Sequence, residues 1–221
     1  MIIAIDGPAG SGKSTVACIL AARLKFRYIE TGSMYRAVAW KAQQQGIRPE
    51  DRDKVAAVAQ TIAIEFRPGV DHQQVWVEGQ EITAQLKTEI IGSLAASAAA
   101  IPEVRKVLTE KQRAMGREGN VVMDGRDIGT VVFPNAEKKF FLVADPVERA
   151  RRRYDEMKAA QPDLDLEQVV RQVKQRDYED ENRAVSPLKP AEDSILLDTT
   201  QLKIEEVVER MMRAIQPVSN V

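Results

Sequence analysis

The 221-residue sequence contains very little cysteine and almost no net charge. Cys18 is its only cysteine, so the chain cannot form an internal disulfide bond, which is typical of proteins in a reducing cytosol. Because 32 lysines and arginines nearly balance 33 aspartates and glutamates, the formal net charge is only −1. No overall field therefore attracts nucleic acid or an anionic membrane, and any basic binding site must be local.

Long apolar segments are also missing. No stretch approaches the ~20 apolar residues that a membrane-spanning helix requires, and Met1 leads directly into a short apolar segment without the basic region of a signal peptide. We therefore expect a cytoplasmic protein that does not act at a membrane. The length is sufficient for one domain with a full core, and nothing in the sequence demands more than a monomer.

The most informative motif is rich in glycine. Gly7, Gly12, Lys13 and Ser14 have the spacing G-x-x-x-x-G-K-[ST] directly after the apolar segment 2–5. A strand, a glycine turn and a helix in this order predict a phosphate-binding loop, although a chance glycine turn is the alternative. In such a loop the lysine contacts the β- and γ-phosphates and the serine hydroxyl, here Ser14, ligates Mg²⁺. The predicted nucleotide-binding residues are Gly7, Pro8, Ala9, Gly10, Ser11, Gly12, Lys13, Ser14 and Thr15.

Short apolar segments alternate with helical patterns along the chain. The predicted strands are 2–5, 26–30, 121–124, 139–143 and 194–197. The predicted helices are 15–24, 33–45, 54–62, 89–100, 102–117, 146–160, 166–182 and 204–215. This alternation predicts an α/β fold of the P-loop NTPase type, with a parallel five-stranded sheet, helices on both faces and ligands at the carboxyl ends of the strands.

One segment, 62–86, interrupts this alternation. It predicts short antiparallel strands at 62–66, 75–77 and 81–83. We expect a single P-loop kinase domain, 1–221, that carries an inserted antiparallel and helical lobe at about 36–115 and a helical lid at about 148–183. The lobe is predicted to bind the second substrate, and an insertion without a binding role is the alternative.

A charged cluster follows the third predicted strand of the sheet. Asp124, Arg126 and Asp127 lie between Gly125 and Gly129, and polar residues at the carboxyl end of a strand are typical of a binding site. Arg126 could bind a phosphate through two hydrogen bonds, Asp127 could accept from an amine or hydroxyl, and Asp124 could lie close to the metal. The alternative is a charged turn with an internal arginine–aspartate pair.

A second basic cluster lies on a predicted helix. Arg149, Arg152 and Arg153 have the spacing i, i+3 and i+4, so they share one helix face, where a triphosphate could neutralise them. A solvated face with Glu148–Arg152 pairing is the alternative. Because Arg176 belongs to a further charged cluster on the next helix, the whole segment predicts a lid that bears arginines.

The sequence contains a single histidine, His72, in a predicted hairpin turn. A kinase that phosphorylates an alcohol needs a base to remove the hydroxyl proton. A phosphate monoester needs none, because its second pKa near ~6 leaves it largely a dianion at neutral pH. Many arginines and one histidine therefore favour a phosphate acceptor, although Asp124 or Asp127 could serve as a base for a hydroxyl.

These motifs together resemble bacterial cytidylate kinases, a branch of the nucleoside-monophosphate kinases. The likeness covers most of the chain and rests on 5–14 (IDGPAGSGKS), 31–36 (TGSMYR), 124–134 (DGRDIGTVVFP), 148–153 (ERARRR) and 180–188 (DENRAVSPL). It implies transfer of a phosphoryl group from ATP, with Mg²⁺, to CMP or dCMP. The implied partners are therefore small nucleotides.

The resemblance also implies roles for individual residues. The implied substrate-binding residues are Thr31, Arg36, Ser97, Arg105, Arg126, Asp127, Asp180 and Arg183, and the implied catalytic residues are Lys13, Arg126, Arg149, Arg152, Arg153 and Arg176. Arg36 and Arg126 would hold the acceptor phosphate, whereas Arg105 and Asp127 would contact the cytosine edge. Thr31 would lie on the monophosphate side, and Asp180 and Arg183 would contact the ribose and phosphate.

The chain departs from the family pattern at one base-contacting position. The family's serine would fall at Ala96, so Ser97 is the expected substitute and Ser93 the alternative. From the residues alone, two other functions also stay open. These are a small P-loop kinase that acts on UMP or on a hydroxyl compound, and a nucleotide-binding module without activity.

Overall fold

The computed structural model of the protein describes residues 1–69, 73–158, 161 and 163–215. His72 lies outside these residues, as do positions 159 and 160 at the end of the predicted helix 146–160. The chain divides into two compact units, which we describe separately. The first comprises Met1–Arg27 and the residues from Asn120 onward, and the second is Tyr28–Gly119.

The described residues form strands and helices in the alternating order that the sequence predicts. The strands are β1 (Ile2–Asp6), β2 (Arg27–Glu30), β3 (Ile64–Arg67), β4 (Gln74–Val77), β5 (Gln80–Glu81), β6 (Val121–Gly125), β7 (Lys138–Val143) and β8 (Ile195–Asp198). The α-helices are α1 (Lys13–Leu24), α2 (Thr31–Gln44), α3 (Arg52–Thr61), α4 (Glu89–Ala99), α5 (Pro102–Gly116), α6 (Pro146–Lys158), α7 (Leu166–Asn182) and α8 (Ile204–Ile215). A short 3₁₀ helix covers Gln85–Lys87, and a π-helical turn covers Ile128–Val132.

The main sheet has five strands in the order β2-β6-β1-β7-β8. β1 pairs in parallel with β6 and β7, and β7 pairs in parallel with β8, which confirms the predicted parallel sheet flanked by helices. The register sets Ile5 opposite Asp124 and Asp6 opposite Gly125. The carboxyl ends of β1 and β6 therefore lie side by side, and the segments that follow them start from the same edge.

The first unit is built on nearly complete burial of its central strands. Ile3, Ala4 and Ile5 of β1 have no exposed surface, and every residue of β6 is buried. α1 packs against β6 and against the strongly amphipathic α8. Continuous apolar strands are expected where both faces of a parallel sheet are covered.

The second unit contains α2 to α5 and a small antiparallel sheet in the order β3-β4-β5. α2 packs against α3 and α4, and α3 packs against α5. Fully buried residues from several of these segments, including Met34, Val38, Ile82 and Leu108, share one core. The predicted lobe, about 36–115, falls within this unit.

The predicted strand limits in the second unit are wrong at two places. Ile62 caps the C-terminus of α3, where its N–H donates to the carbonyl of Val58 at 2.9 Å, and β3 starts at Ile64. β5 ends at Glu81 because the hydroxyl of Thr83 accepts the N–H of Val75 at 2.9 Å, in place of a backbone carbonyl. Local side-chain and helix-end hydrogen bonds of this kind leave no periodic signal in a sequence.

Several limits in the first unit also differ from the prediction. α1 begins at Lys13, two residues before the predicted start, because the last residues of the glycine-rich segment already have helical conformation. β6 continues through Gly125, one residue beyond its predicted end. α7 and α8 have the predicted limits. In the part of the chain that the structure describes, no helix combines the length and the apolar character needed to cross a membrane.

Candidate active site

The glycine-rich segment after β1 has a conformation that requires glycine. Gly7 has φ +151°, and a Cβ atom at this position would lie 2.2 Å from the carbonyl oxygen of Leu142. Gly10 and Gly12 have φ +75° and +83°. Because Gly12 precedes α1 and carries no side chain, the first N–H groups of α1 are left accessible to a ligand, as in anion sites at helix N-termini.

Lys13 and Ser14 begin the helix behind this loop. The buried Lys13 ammonium donates to the carbonyl of Pro8 at 3.0 Å, so the lysine folds back over the loop. Ser14 Oγ donates to Asp124 Oδ2 at 2.8 Å, across the neighbouring ends of β1 and β6. The structure thus brings the predicted metal-binding serine together with the carboxylate that the sequence suggested for the same region.

The chemistry of this pair fits Mg²⁺. Mg²⁺ prefers oxygen ligands, and in kinases it is bound by one or two protein groups together with substrate phosphates and water. The Ser14 hydroxyl and Asp124 carboxylate supply such oxygens. Within the described ranges, no group of three His, Cys, Asp or Glu side chains could hold a metal ion by itself. A metal at this place would therefore take further ligands from a bound nucleotide.

The hydroxyl of Ser11 is a second group in the loop that could bind phosphate. It has no exposed surface, and its Oγ has no hydrogen-bond partner among the described residues. A buried hydroxyl without a partner is costly to the fold unless a ligand accepts a hydrogen bond from it. The loop therefore offers a hydroxyl donor in addition to its N–H groups.

Arg149 holds the loop to α6 and α7. Its guanidinium forms two hydrogen bonds with Asp177, of 3.0 and 2.6 Å, and donates to the carbonyls of Ala9 and Ala144. The side chain is only 3% exposed. These bonds identify a structural contribution of Arg149 to the loop, and its catalytic role stays a prediction.

The other two arginines of the predicted cluster lie further along α6. Arg152 donates to the carbonyls of Thr199 and Thr200 at 2.8 and 3.1 Å and pairs with Glu148 at 3.4 Å, as the solvated-face alternative expected. Arg153 is half-buried on the same helix. The shared phosphate-binding role of the three arginines stays a prediction.

Asp180 on α7 forms ion pairs with three of the predicted arginines. Its buried carboxylate lies 2.8 Å from Arg126 Nε, 3.6 Å from Arg176 Nε and 3.4 Å from Arg183 Nη1. Burial by itself would raise the pKa of Asp180, but Arg126, Arg176 and Arg183 outweigh it and hold the pKa below its usual value of 3.8. Four sequence-predicted site residues thus form one cluster.

Asp127 directly precedes the π-helical turn Ile128–Val132 as its N-cap and is 5% exposed. Its carbonyl accepts the N–H groups of Val131 and Val132 at 2.9 and 3.1 Å. π-turns are rare and occur frequently at functional sites. Arg126 and Asp127 therefore occupy a segment whose backbone is unusual and well fixed.

Sequence reasoning missed one residue here, Asp6. Its carboxylate accepts the N–H groups of Ile128 and Gly129 at 2.8 and 2.7 Å. Burial raises the pKa of Asp6 to about 7, against the lowering effect of those two hydrogen bonds; nearby Asp127 raises it further and Lys13 lowers it. An acidic residue at the end of an otherwise apolar strand was the available signal, since aspartate is seldom fully buried without partners.

The remaining predicted residues belong to the second unit. Thr31 is buried at the start of α2, and Arg36 pairs with Glu30 at 3.8 Å. Arg105 is 3% exposed, donates to the carbonyl of Ala99 at 3.3 Å and lies over the Tyr35 ring. Ser97 and Ser93 lie one turn apart on the exposed side of α4, and Ser97 Oγ donates to the Ser93 carbonyl at 3.5 Å.

Comparison with known proteins decides the family. A family model described as "Cytidylate kinase" matches residues 3–217. The chain belongs to the cytidylate kinase family. It is 48% identical to a cytidylate kinase from Carboxydothermus hydrogenoformans, over 97% of each chain. It is 47% identical to one from Caldanaerobacter subterraneus subsp. tengcongensis, over 97% of this chain and 94% of the relative.

A solved structure shows the same fold in a more distant protein. Shikimate kinase from Bacteroides thetaiotaomicron has a TM-score of 0.51 and 13% identity, over 97% of this chain and 98% of that chain. At this identity the likeness shows the fold alone. The family resemblance and the fold class that the sequence predicts are therefore both confirmed.

Proposed function

We propose that this member of the cytidylate kinase family transfers the γ-phosphoryl group of ATP to CMP or dCMP, which yields ADP and CDP or dCDP. Family membership over residues 3–217 supports the activity. The observation that carries the residue-level account is the hydrogen bond between Ser14 and Asp124, at the end of a phosphate-binding loop. It joins the donor loop to β6, the strand that leads into the acceptor residues.

On the donor side, the loop N–H groups and the Lys13 ammonium bind the ATP phosphates. Ser14 and Asp124 are the residues that would hold Mg²⁺, which when bound neutralises charge on the β- and γ-phosphates. Arg149 holds the loop through its bonds to Ala9 and Asp177, and a loop that is held before binding loses less conformational freedom when phosphate binds.

On the acceptor side, Arg126 binds the phosphate of CMP and Asp127 accepts a hydrogen bond from the cytosine N4 amine. Uracil presents a carbonyl at that place, which would leave the buried Asp127 carboxylate facing a second acceptor. The attacking group is a phosphate oxygen that is already ionised near pH 7, because its second pKa lies near ~6, and no general base is required.

Phosphoryl transfer then depends on how the two nucleotides are positioned and on the positive charges around the transferred group. Arg126, Arg176 and Arg183 surround Asp180, and their guanidinium groups would bind phosphate oxygens as charge shifts during an in-line displacement. Arg152 and Arg153 remain predicted contributors of the lid, and Asp180 remains the predicted ribose contact. Thr31, Arg36, Ser97 and Arg105 of the second unit stay predictions that follow from the resemblance.

A coupled assay of ADP release over a panel of acceptors tests this function. CMP and dCMP should stimulate ADP release far more than UMP, AMP or shikimate at equal concentration. Lys13→Ala should reduce turnover by about a hundredfold or more while the thermal unfolding midpoint stays close to that of the wild type. The proposal would be contradicted if CMP did not stimulate ADP release at any concentration, or if all acceptors stimulated it equally.

A further inference from the structure

The carboxylate of Asp6 binds the first two N–H groups of the π-helical turn Ile128–Val132. Asp6 Oδ1 accepts from Ile128 at 2.8 Å, and Oδ2 accepts from Gly129 at 2.7 Å. The first N–H groups of a helical turn have no partner within the turn, so they need an external acceptor when they are buried. Here a strand more than a hundred residues away in the sequence supplies it.

The hydrogen bonds inside the turn do not use its first two N–H groups, which donate to Asp6. Its internal hydrogen bonds run from Val131 and Val132 to the carbonyl of Asp127 and from Phe133 to the carbonyl of Ile128. Five residues are too few for a helix that holds its own orientation. The two bonds to Asp6 therefore tie the start of the turn, directly after Asp127, to the end of β1.

The packing around these bonds is tight. A Cβ atom at Gly129 would lie 3.2 Å from Lys139 Cδ and 3.4 Å from Asp6 Oδ2. Lys139 Nζ in turn donates to both carboxylate oxygens of Asp193, each at 2.8 Å. The Lys139 side chain and the Asp6 carboxylate thus both lie close to Gly129.

We propose that Asp6 is a positioning residue that fixes the backbone of Arg126 and Asp127 and thereby sets the affinity and base preference for the acceptor nucleotide. The inference rests on the proposed function, in which these two residues bind CMP. Asp6 also directly precedes Gly7, so one carboxylate connects the start of the donor loop to the acceptor segment.

The direct variant is Asp6→Asn, which keeps the shape of the side chain but leaves one oxygen to accept one of the two N–H groups. We expect KM for CMP to rise about tenfold and KM for ATP to change by less than about twofold, because the lost bond lies on the acceptor segment. The preference for CMP over UMP should fall in parallel. An equal rise of both KM values would overturn the inference, since a general loss of structure affects both nucleotides.

Glu137→Gln is the matched control. The Glu137 carboxylate accepts the N–H of Ile2 at 2.7 Å, at the opposite end of the same strand. The change from acid to amide is identical, but it lies away from Arg126 and Asp127. Both KM values and the CMP preference of this variant should equal those of the wild type; a CMP-specific loss here as large as in Asp6→Asn would overturn the inference.

A double-variant cycle shows whether Asp6 acts through Asp127. Asp127→Ala should lose most of the preference for CMP over UMP, and adding Asp6→Asn should change that preference by less than about twofold further. Fully additive effects would overturn the inference while leaving the proposed function intact. If Asp127→Ala keeps the wild-type preference, the proposed role of Asp127 fails, and the inference fails with it.

Gly129→Ala keeps the test valid if Asp6→Asn does not fold. It retains both N–H groups and crowds Asp6 Oδ2 and Lys139 from the other side. We expect a smaller rise of KM for CMP, about threefold, with KM for ATP unchanged. No change in a well-folded Gly129→Ala, together with no change in Asp6→Asn where that variant folds, would overturn the inference.

Discussion

At the scale of single residues, the first unit buries several charged side chains that bind backbone atoms. Asp6 accepts from two N–H groups, Lys13 donates to the carbonyl of Pro8, and Arg149 donates to two carbonyls. A buried charge is costly unless hydrogen bonds compensate it. Each of these residues therefore fixes a loop, because the loop backbone supplies its partners.

The pKa of Asp6 predicts how stability depends on pH. Because burial raises its folded-state pKa to about 7 from 3.8, the folded protein keeps a proton that the unfolded chain releases. The contribution of Asp6 is fully present below pH 3.8 and is lost as the pH rises through about 7. Asp6→Asn lacks this dependence.

Urea unfolding of the wild type and of Asp6→Asn, at several pH values between about 4 and 8, measures this effect. The free energy of unfolding of the wild type, relative to the variant, should fall as the pH rises across this range. A difference that stays constant would show that the pKa of Asp6 is not raised in the folded protein.

The sequence predicts these residues only where a motif marks them. The spacing around Gly7, Lys13 and Ser14 predicts the loop because phosphate binding constrains consecutive positions. Asp6 has no such pattern, since its partners lie in Ile128 and Gly129 and depend on the register of β1 with β6. The bonds between Arg149 and Asp177 are equally invisible, because two helices must first pack together.

At the scale of secondary structure, the loop between β1 and α1 depends on glycine for two different reasons. Gly7 and Gly12 both have positive φ, but only at Gly7 would a Cβ atom collide with backbone, the carbonyl of Leu142. Around Gly12 a Cβ atom would meet nothing within 4 Å. Backbone strain and steric overlap can therefore be separated within one loop.

Gly7→Ala should lower the free energy of unfolding by more than ~2 kcal/mol, because it adds overlap with β7 to the cost of an unfavourable φ. Gly12→Ala is the matched control and should cost only about 1 kcal/mol, from φ alone. Chemical denaturation of both variants measures the two values. Equal losses would mean that β7 moves away from the new methyl group at little cost.

Strands and helices themselves are readily predicted from the sequence. α7 and α8 have the predicted limits because long amphipathic patterns end at clear boundaries. The limits of the small strands around Val75 differ from the prediction by at most two residues, since hydrogen bonds of Ile62 and Thr83 decide where β3 begins and β5 ends.

At the scale of the whole molecule, the parallel order of the main sheet explains why distant segments share one site in the first unit. The loop after β1 and the charged segment after β6 leave adjacent strands at the same edge. In open α/β sheets, ligands bind at the carboxyl ends of the strands. The fold therefore accounts for the place of the Ser14–Asp124 pair, and the family accounts for the reaction.

The central claim is that the γ-phosphoryl group moves from ATP directly to CMP. Incubation of the protein with CMP and with ATP radiolabelled on its γ-phosphate, followed by separation of the products, tests this claim. The account predicts that the label appears in CDP, in equal amount to the ADP formed. Label that appears only as inorganic phosphate, with CMP unchanged, would contradict it.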